Sequence, residues 1–446
     1  MGRKSHTRVL AVWMNGEQVG IWTLKSNGTS EFRYSESWLA SARRRPISLS
    51  MVLRPSKSPY VGEVVDAFFD NLLPDTKPIR QRIQSRFKAA SVKAFDLLEH
   101  IGRDCVGAIQ LLPENTMPKD LHKIQKQSLS KPEIEALLEN CMASPMHVHA
   151  GSDDKDFRIS LAGAQEKTAL LRIGDIWHKP IGPTPTTHIL KLPIGQGNRG
   201  IDLSTSVENE WLCSRILAAF GVAVAKSEIV QFGRFKVLAV QRFDRQFAQD
   251  GSWITRLPQE DLCQATGISG GLKYESDGGP GIERIMALLK NSIVAAEDRT
   301  TFLRIQILFW LLCAIDGHAK NFSIFLLPES RYRLTPLYDV LSAYPVMGKS
   351  KNQLSPNKVK LAMAVSGQNR HYFWSEIRYR HWVETAARCK FGASIENLID
   401  EVLAKVPKAL ASVQEQIPVG FPLHIADTIF EGIRKSAERL AGQQHG

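Results

Sequence analysis

Alternating hydrophobic and polar positions open the chain, and they predict a β-hairpin. The stretch RVLAVWMNGEQVGIWTL alternates on both sides of Asn15–Gly16, and this pair accepts the positive φ angles of a two-residue turn. Further strand-like runs lie at Ile47–Leu53 and Cys105–Leu112, and helical spacing lies at Val64–Asp75 and in ASVKAFDLLEHIG. About the first hundred residues are therefore predicted to form a small mixed α+β unit.

A polar stretch follows and separates this unit from the rest of the chain. It contains a helix that is predicted to start at Ser130, because Glu133 stands at the spacing of a capping box. The residues HAGSDDKDF, at 149–157, are predicted to form a loop. We place a domain boundary near this loop.

Strands dominate the next part of the chain, and helices dominate the last. Strand-like runs extend from Arg158 to about Phe243 around one helix at Ser206–Gly221. After Leu257 the pattern is helical, apart from a hairpin in NFSIFLLPESRYRLTPLYDV. The pattern predicts an α+β fold in three domains, at 1–150, 151–256 and 257–446.

A short polar stretch separates two apolar runs in the helical part. Asp316–Asn321, with the sequence DGHAKN, lies between Ile307–Ile315 and Phe322–Leu327. Buried polar groups cost stability unless they are paired. The stretch either caps a helix, with His318 and Lys320 near the helix dipole, or it lines a cleft and acts on a ligand.

The hairpin after this stretch is predicted to bring two oxygen ligands together. Asn321 begins the outgoing strand, the turn falls at Pro328–Ser330, and Asp339 ends the returning strand. An amide and a carboxylate oxygen at the open end suit Mg²⁺, which keeps waters and phosphates as its other ligands. Asp316 precedes Asn321 by five residues, which is the spacing of the kinase catalytic loop. The same spacing also fits a polar turn at a helix end.

Two segments upstream could also belong to a phosphate site, but their patterns are less specific than that of Asp316, Asn321 and Asp339. Lys191 stands inside the apolar strand HILKLP, where it must pair or reach solvent. Glu210 on the following helix is its candidate partner, and Glu208 is the second choice. The turn SLAGAQEKTAL has one glycine, Gly163, and matches neither of the common glycine-rich phosphate motifs. A strand-edge lysine and an ordinary hairpin turn are the alternatives.

Composition and charge limit the class of protein. The 446 residues are 43% hydrophobic and carry a net charge of +12, which favours an acidic partner such as nucleic acid. Between Lys349 and Lys390 there are nine Lys or Arg residues against Glu376 and Glu384. The longest apolar run has nine residues, about half of what a bilayer span needs. The basic start lacks a sustained apolar core and a small-residue cleavage site, so we do not expect a signal peptide. Together with six scattered cysteines, this predicts a cytoplasmic protein without a membrane partner.

Taken together, the motifs resemble the HipA family, the toxin kinases of bacterial toxin–antitoxin modules. The matching stretches occur in the family's order along nearly the whole chain. They are FFDNLLPD, IGRDCVGAIQLL, RISLAGAQEKTALL, PTTHILKLP, VENEW, LAVQRFDR, RLPQEDLCQ, KYESDGGPG, DGHAKNFS and RLTPLYDVLSAYP. The resemblance implies a serine/threonine protein kinase with a divergent two-lobe kinase-like fold. On this reading 151–256 is the nucleotide-binding lobe and 257–446 the catalytic lobe.

The resemblance also implies roles for individual residues. Asp316 would be catalytic, Asn321 and Asp339 would bind Mg²⁺, Lys191 would contact ATP, and Ser160 would be a self-phosphorylation site that silences the kinase. The other residues implied at the ATP site are Ala162, Gly163, Ala164, Gln165, Glu166, Lys167, Gln241, Arg242, Phe243, His318, Lys320 and Tyr338. DGHAKN stands where ordinary kinases have H-R-D, YDV stands for D-F-G, and Gln241 stands where a relative can have Glu.

Partners are implied by the family as well. They are a HipB-like helix-turn-helix antitoxin, operator DNA held mainly through that antitoxin, and a protein substrate such as glutamyl-tRNA synthetase. In the basic segment the candidate DNA contacts are Arg378, Arg380, Arg388 and Lys390, although a solvated helix face fits these residues equally. Two other functions stay open: a DNA-bound corepressor scaffold without turnover, and a small-molecule kinase of the aminoglycoside or choline type.

Two further stretches are predicted to be structural. SDGGPG, at Ser276–Gly281, is rich in glycine and precedes a helix, but a loop is the favoured interpretation. Glu260 and Asp261 are adjacent and would diverge on a helix, so they are expected to cap or support and not to form an acid–base pair.

Overall fold

The structure of the protein is a computed structural model. The described residues are 6–142, 160–163, 165–197 and 200–444. The chain forms two compact units: unit 1, Met1–Leu192, Gln231–Gly271 and Ile324–Tyr332, and unit 2, Pro193–Val230, Leu272–Ser323 and Arg333–Gly446. The loop predicted at 149–157, the boundary at 150 and the predicted site residue Ala164 lie outside the described residues. The division into three domains stays a prediction.

Helices and strands are both abundant, in line with the predicted α+β class. The strands are β1 (Arg8–Met14), β2 (Glu17–Leu24), β3 (Ser30–Tyr34), β4 (Tyr60–Val61), β5 (Ile109–Pro113), β6 (Lys126–Ser128), β7 (Lys167–Ile173), β8 (Ile176–Pro180), β9 (His188–Lys191), β10 (Gly195–Gln196), β11 (Asp202–Leu203), β12 (Ser227–Phe232), β13 (Phe235–Gln241), β14 (Arg245–Phe247), β15 (Ile254–Arg256), β16 (Gln259–Asp261), β17 (Ser323–Leu326), β18 (Tyr332–Leu334), β19 (Lys360–Ser366) and β20 (Arg370–Phe373). The helices are α1 (Glu36–Ala40), α2 (Glu63–Asp70), α3 (Lys77–Phe87), α4 (Ala94–Ile101), α5 (Lys131–Met142), α6 (Ser206–Ala219), α7 (Leu262–Ala265), α8 (Ile282–Leu288), α9 (Ala295–Leu312), α10 (Tyr379–Arg388), α11 (Ile395–Gln414) and α12 (Leu423–Ala441).

Unit 1 begins with an antiparallel sheet in the order β4-β3-β2-β1-β5. The predicted hairpin is confirmed: Asn15 and Gly16 have φ angles of 45° and 88° and join β1 to β2. Alternate side chains of these strands enter a core with α2 and α4, where the rings of Trp22 and Phe69 stack at 3.9 Å. The predicted α4 and β5 are also present, each within a few residues of its expected position.

The strand predicted at Ile47–Leu53 is wrong. These residues form a turn, and a single bridge joins Ser48 to Met51. The Ser48 hydroxyl accepts a bond from the Ser50 N–H at 3.1 Å, and such local bonds compete with a strand ladder. Ile47 and Met51 of this turn are buried, whereas Val52 is 52% exposed.

A second sheet has the order β12-β13-β9-β7-β8-β6. In it Lys191 at the end of β9 lies opposite Lys167 of β7 and Leu238 of β13. The predicted capping box ahead of α5 is confirmed, because Glu133 accepts bonds from the backbone and the hydroxyl of Ser130, both at 2.7 Å.

Unit 2 is mainly helical. Its most apolar helix, α9, is buried over most of its last ten residues. The hairpin β17–β18, whose residues Ile324–Tyr332 belong to unit 1, turns at Pro328–Ser330, as predicted. A second hairpin, β19–β20, was not predicted and corrects the expectation of helices alone in this part. Among the residues described, no helix is both long and apolar enough to cross a bilayer.

Candidate active site

The DGHAKN loop starts where α9 stops. Cys313 follows the helix with φ 48°, a left-handed conformation that ends helices. The chain then has to pass the buried ring of Phe309, and a Cβ on Gly317 would lie 2.3 Å from Phe309 Cε2. Gly317 is therefore required by space and not by backbone angles. This close approach fixes the path of the loop against the helix.

Burial distinguishes Asp316 from its neighbours. The side chain of Asp316 is 57% exposed, whereas that of His318 is 5% exposed, and Lys320 and Asn321 are buried. His318 Nε2 lies 3.8 Å from Asp316 Oδ1. A buried set of polar groups thus presents one carboxylate to solvent. This arrangement fits a cleft that acts on a ligand better than it fits a simple helix cap.

Asn321 and Asp339 approach each other as the hairpin predicts. The amide nitrogen of Asn321 donates to the backbone carbonyls of Asp316 at 2.8 Å and Asp339 at 3.2 Å. These bonds fix the amide plane with its oxygen pointing away from both carbonyls. Asp339 has φ 62°, a conformation that costs energy in a non-glycine residue and persists where the surroundings enforce it.

The donor set fits a hard divalent cation. Asn321 would contribute an amide oxygen and Asp339 a carboxylate, which is a sparse set of the kind that Mg²⁺ uses when phosphates and waters complete its shell. Within the described ranges, no cluster of three or more His, Cys, Asp or Glu residues could hold a metal on its own.

Tyr338 links the end of the β17–β18 hairpin to the DGHAKN loop by hydrogen bonds. Its hydroxyl donates to the Lys320 carbonyl at 2.9 Å and lies 2.5 Å from the Ser323 hydroxyl. The backbone N–H of Thr335 also donates to the Ser323 carbonyl at 3.0 Å. Tyr338, which was predicted at the ATP site, thus has a clear structural role in holding Asp339 beside the loop.

The predicted phosphate loop belongs to unit 1, where it is docked on the segment after α2. The Ser160 hydroxyl is buried and donates to the Leu72 carbonyl at 2.6 Å. Gly163, with φ 103°, bridges to Pro74, and its carbonyl accepts from the Asp75 N–H at 3.1 Å.

Side chains of the same loop make further bonds within unit 1. Lys167 Nζ donates to the Ala162 carbonyl at 2.7 Å, and Gln165 Nε2 donates to the Leu192 carbonyl at 2.5 Å. Glu166 pairs with Arg82. The conformation described is thus a loop held by the N-terminal segment.

Lys191 and its predicted partner belong to different units. Lys191 is buried at the end of β9 in unit 1, and Glu208 and Glu210 are buried on α6 in unit 2. Buried carboxylates on a helix require partners. The assignment of Glu210 to Lys191 stays a prediction.

Inward and outward positions alternate in the predicted hinge. Gln241 ends β13 and is exposed, and Phe243 is half-buried with its ring 5.8 Å from Phe325. Arg242 is buried and its N–H donates to the Thr187 carbonyl at 2.8 Å. All five guanidinium donors of Arg242 have acceptors inside unit 1. Any side-chain contact with a ligand from this segment is therefore left to Gln241 and Phe243.

Arg242 belongs to a buried charge cluster that sequence reasoning missed. Its members are Asp104, Arg242, Asp244, Arg245 and Arg256. Burial alone would raise the pKa of Asp104, but Arg245 and the other two guanidinium groups hold that pKa well below its ordinary value. The sequence signal was the group of charged residues in QRFDR, which directly follows the apolar part of β13.

The candidate DNA contacts lie at the two ends of α10. Arg378, Arg380, Arg388 and Lys390 are exposed. Three of them also make structural bonds: Arg378 Nη1 donates to the Ser375 carbonyl at 3.0 Å, Arg388 Nη2 to the Gly367 carbonyl at 2.6 Å, and Arg380 Nε to His381 Nε2 at 3.4 Å. These three guanidinium groups are thus exposed and also bonded within the protein.

Of the two stretches predicted to be structural, the Glu260–Asp261 pair has the expected supporting role. Asp261 caps α7 by accepting from the Gln264 N–H at 2.8 Å. Glu260 is fully buried and accepts from the Leu49 N–H at 2.8 Å, and burial raises the pKa of Glu260 to about 8.

Comparison with known proteins decides the family. The model of the HipA N-terminal domain matches residues 10–112, and that of the HipA-like C-terminal domain matches residues 159–410, more than half of the chain. The chain belongs to the HipA family. The resemblance inferred from the motifs is thereby confirmed.

Relatives and a solved structure agree with this assignment. The chain is 32% identical over 434 residues to "Putative kinase Y4mE" of Sinorhizobium fredii, covering 95% of this chain and 97% of the relative. It is 29% identical over 356 residues to "Serine/threonine-protein kinase toxin HipA" of Shewanella oneidensis, covering 76% of each. HipA in a complex of Shewanella oneidensis HipA, HipB and operator DNA has the same fold, with a TM-score of 0.78, 24% identity and 97% coverage of both chains. The predicted α+β fold and the predicted kinase class of enzyme are confirmed at the level of this family.

Proposed function

We propose that this HipA-family chain transfers the γ-phosphate of ATP to a serine or threonine of a protein. The observation that carries the proposal is the loop at Asp316. One exposed carboxylate stands on a buried polar support, five residues before an amide whose orientation is fixed by two carbonyl bonds. A kinase needs such a carboxylate to orient the attacking hydroxyl, and it needs the amide for metal.

Each residue then has a distinct task. Asn321 and Asp339 would hold Mg²⁺, which when bound neutralises charge on the phosphates of ATP. Asp316 would accept a hydrogen bond from the substrate hydroxyl and align its oxygen with the phosphorus. Lys191, His318 and Lys320 are cationic or hydrogen-bonding groups suited to phosphate oxygens.

Self-phosphorylation at Ser160 would inactivate the kinase. The Ser160 hydroxyl is buried and faces the Leu72 carbonyl. A phosphate there would place about two negative charges against a carbonyl oxygen in a closed space. Ser160 and the loop that follows it, which is proposed to bind the ATP phosphates, would then have to leave their place against Leu72 and Asp75.

The physiological setting follows from family membership and remains part of this proposal. We infer a cytoplasmic toxin that pairs with a HipB-like antitoxin, assembles with it on operator DNA near the nucleoid, and phosphorylates a translation factor such as glutamyl-tRNA synthetase. The named complex of Shewanella oneidensis HipA and HipB supports this inference by analogy of fold.

Incubation with labelled ATP and Mg²⁺ tests the activity. The wild type should label itself at Ser160 and label glutamyl-tRNA synthetase when it is added. Asp316→Asn should be inert with unchanged thermal unfolding. Asp175→Asn removes an exposed carboxylate of a β7–β8 turn and should retain full activity. An unlabelled wild type, both alone and with a whole-cell lysate, would contradict the proposal.

A second role, as a corepressor on DNA, is favoured by the exposed cations of α10. Contacts to phosphates give an affinity that falls with salt, and each lost contact reduces the logarithmic salt slope by about one. The triple variant Arg378→Ala, Arg380→Ala and Lys390→Ala, mixed with antitoxin and operator DNA, should therefore bind with a shallower salt dependence. Lys57→Ala, Lys119→Ala and Lys126→Ala remove the same charge from exposed positions elsewhere and serve as the control. Equal slopes for both triple variants would exclude a DNA contact by α10.

A further inference from the structure

The segment KYESDGGPG, at Lys273–Gly281, contacts the DGHAKN loop at two points. The Tyr274 hydroxyl donates a hydrogen bond to Asp316 Oδ1. One residue earlier, the Lys273 carbonyl accepts from the Ala319 N–H at 3.4 Å. Both contacts lie within unit 2. Ser276–Gly281 within this segment was expected to be a structural loop, and the two residues that contact the proposed catalytic carboxylate and its loop, Lys273 and Tyr274, precede it.

The ring of Tyr274 also packs on the loop. It meets His318 edge to face, with ring centroids 5.2 Å apart and planes at 83°. His318 is buried, so the ring has a fixed surface to lie against. The hydroxyl of Tyr274 is therefore directed at Asp316 by packing as well as by its own bond.

The backbone that carries Tyr274 is itself a closed turn. The Tyr274 carbonyl accepts from the N–H groups of Asp277 at 3.1 Å and Gly279 at 2.9 Å. A Cβ on Gly279 would lie 2.2 Å from the Leu272 carbonyl oxygen, so glycine is needed there for space. Next to Tyr274, Glu275 accepts from the Ala364 N–H of β19 at 2.7 Å. The tyrosine thus stands on a supported turn and not on a mobile loop.

We propose that Tyr274 is a positioning residue for phosphoryl transfer, acting through Asp316. The Asp316 side chain is 57% exposed, so free rotation would leave its carboxylate without a preferred direction. The Tyr274 hydroxyl bond fixes one oxygen. Because a carboxylate has about four lone-pair sites, the other oxygen stays available for the substrate hydroxyl. The inference rests on the proposed kinase function.

Tyr274→Phe is the direct test, because it keeps the ring against His318 and removes the hydroxyl. The rate constant for γ-phosphate transfer at saturating ATP, measured on the chain itself and on added glutamyl-tRNA synthetase, should fall about tenfold. The ATP concentration that gives half the maximal rate should stay within about twofold, since Tyr274 is not proposed to bind ATP. The thermal unfolding midpoint should stay near that of the wild type.

Tyr60→Phe is the matched control. It removes one phenol hydroxyl that also makes a single described hydrogen bond, to the Val52 carbonyl at 2.8 Å in unit 1, and its transfer rate should equal that of the wild type.

The outcomes separate this inference from the proposed function. An active wild type with an equally active Tyr274→Phe variant would overturn the positioning role alone. A Tyr274→Phe variant that loses ATP affinity or unfolds at lower temperature would assign Tyr274 a general structural role and overturn it too. A wild type that transfers no phosphate would remove the proposed function, and the positioning role with it.

Discussion

The buried charge cluster of unit 1 gives the sharpest prediction of stability. Asp104 is shared by three guanidinium groups: Oδ2 lies 3.2 Å from Arg242, and Oδ1 lies 2.9 Å from Arg245 and 3.4 Å from Arg256. With Asp244 as the second carboxylate, three positive and two negative groups give the cluster a formal charge of +1. We predict that Asp104→Asn destabilises unit 1 strongly, because it raises this buried charge to +2.

The size of the effect follows from the contacts that are lost. Asp104 also accepts from the Thr186 N–H at 3.0 Å and the Thr186 hydroxyl at 2.7 Å. Removing one partner from a buried ionic group costs about 3–5 kcal/mol, since the remaining charges stay desolvated. That is a large share of the roughly 5–15 kcal/mol that stabilises a typical domain. An asparagine oxygen can keep part of the Thr186 bonding, so we do not add those bonds separately.

Hydrogen exchange read by mass spectrometry measures the effect where it occurs. A loss of about 3–5 kcal/mol corresponds to roughly 10²- to 10⁴-fold faster exchange of the protected amides. The peptides to follow are 186–192 and 238–246, with α11 in unit 2 as an internal reference. Asp175→Asn, whose side chain is fully exposed, is the control and should leave all these peptides unchanged. Acceleration of less than about tenfold in Asp104→Asn would refute the argument that this carboxylate holds the cluster.

Two further predictions concern a buried carboxyl group and a crowded glycine. Burial raises the pKa of Glu260 from 4.5 to about 8. Between these pH values the folded chain keeps a proton that the unfolded chain releases. Stability should therefore fall as pH rises through this window. Glu260→Gln should therefore flatten the dependence of the unfolding midpoint on pH between pH 5 and 9. At pH 9 it should raise the free energy of unfolding by on the order of 3 kcal/mol or more relative to the wild type. Parallel wild-type and variant curves would show that Glu260 is not responsible. Gly317→Ala should lower the free energy of unfolding by about 1–3 kcal/mol, because its Cβ overpacks Phe309. It should also reduce the rate of phosphate transfer at least tenfold, because it displaces Asp316. Gly271→Ala, whose Cβ would lie 3.8 Å from the nearest other atom, is the control and should change neither quantity.

Local patterns predicted the parts of the fold that local physics determines. The Asn15–Gly16 hairpin follows from the need for positive φ angles in a two-residue turn, and the Ser130–Glu133 box from two hydrogen bonds within four residues. The β17–β18 hairpin placed Asn321 near Asp339 because the two arms have similar lengths. In contrast, Ile47–Leu53 has the composition of a strand but no partner strand, and only the three-dimensional structure decides pairing.

Contacts distant in sequence were beyond such reasoning. Tyr274 and Asp316 are 42 residues apart, and no periodicity links them. The charge cluster joins Asp104 to a strand about 140 residues later. The charged residues in QRFDR follow an apolar strand directly, but the sequence named neither their burial nor the partner that makes it tolerable.

The QRFDR motif shows how one short string can serve two purposes that experiments should separate. Within it, exposed or half-exposed residues alternate with buried ones: Gln241 and Phe243 face outward, and Arg242, Asp244 and Arg245 are buried. A family match across the whole string therefore combines a potential ligand contact with an internal support. Substitutions of Gln241 should therefore alter ATP affinity with little effect on unfolding, whereas substitutions of Arg242 should act through stability, because its five donors are already bonded inside unit 1. A loss of activity in an Arg242 variant is accordingly no evidence for contact with the nucleotide unless folding has been measured in the same sample.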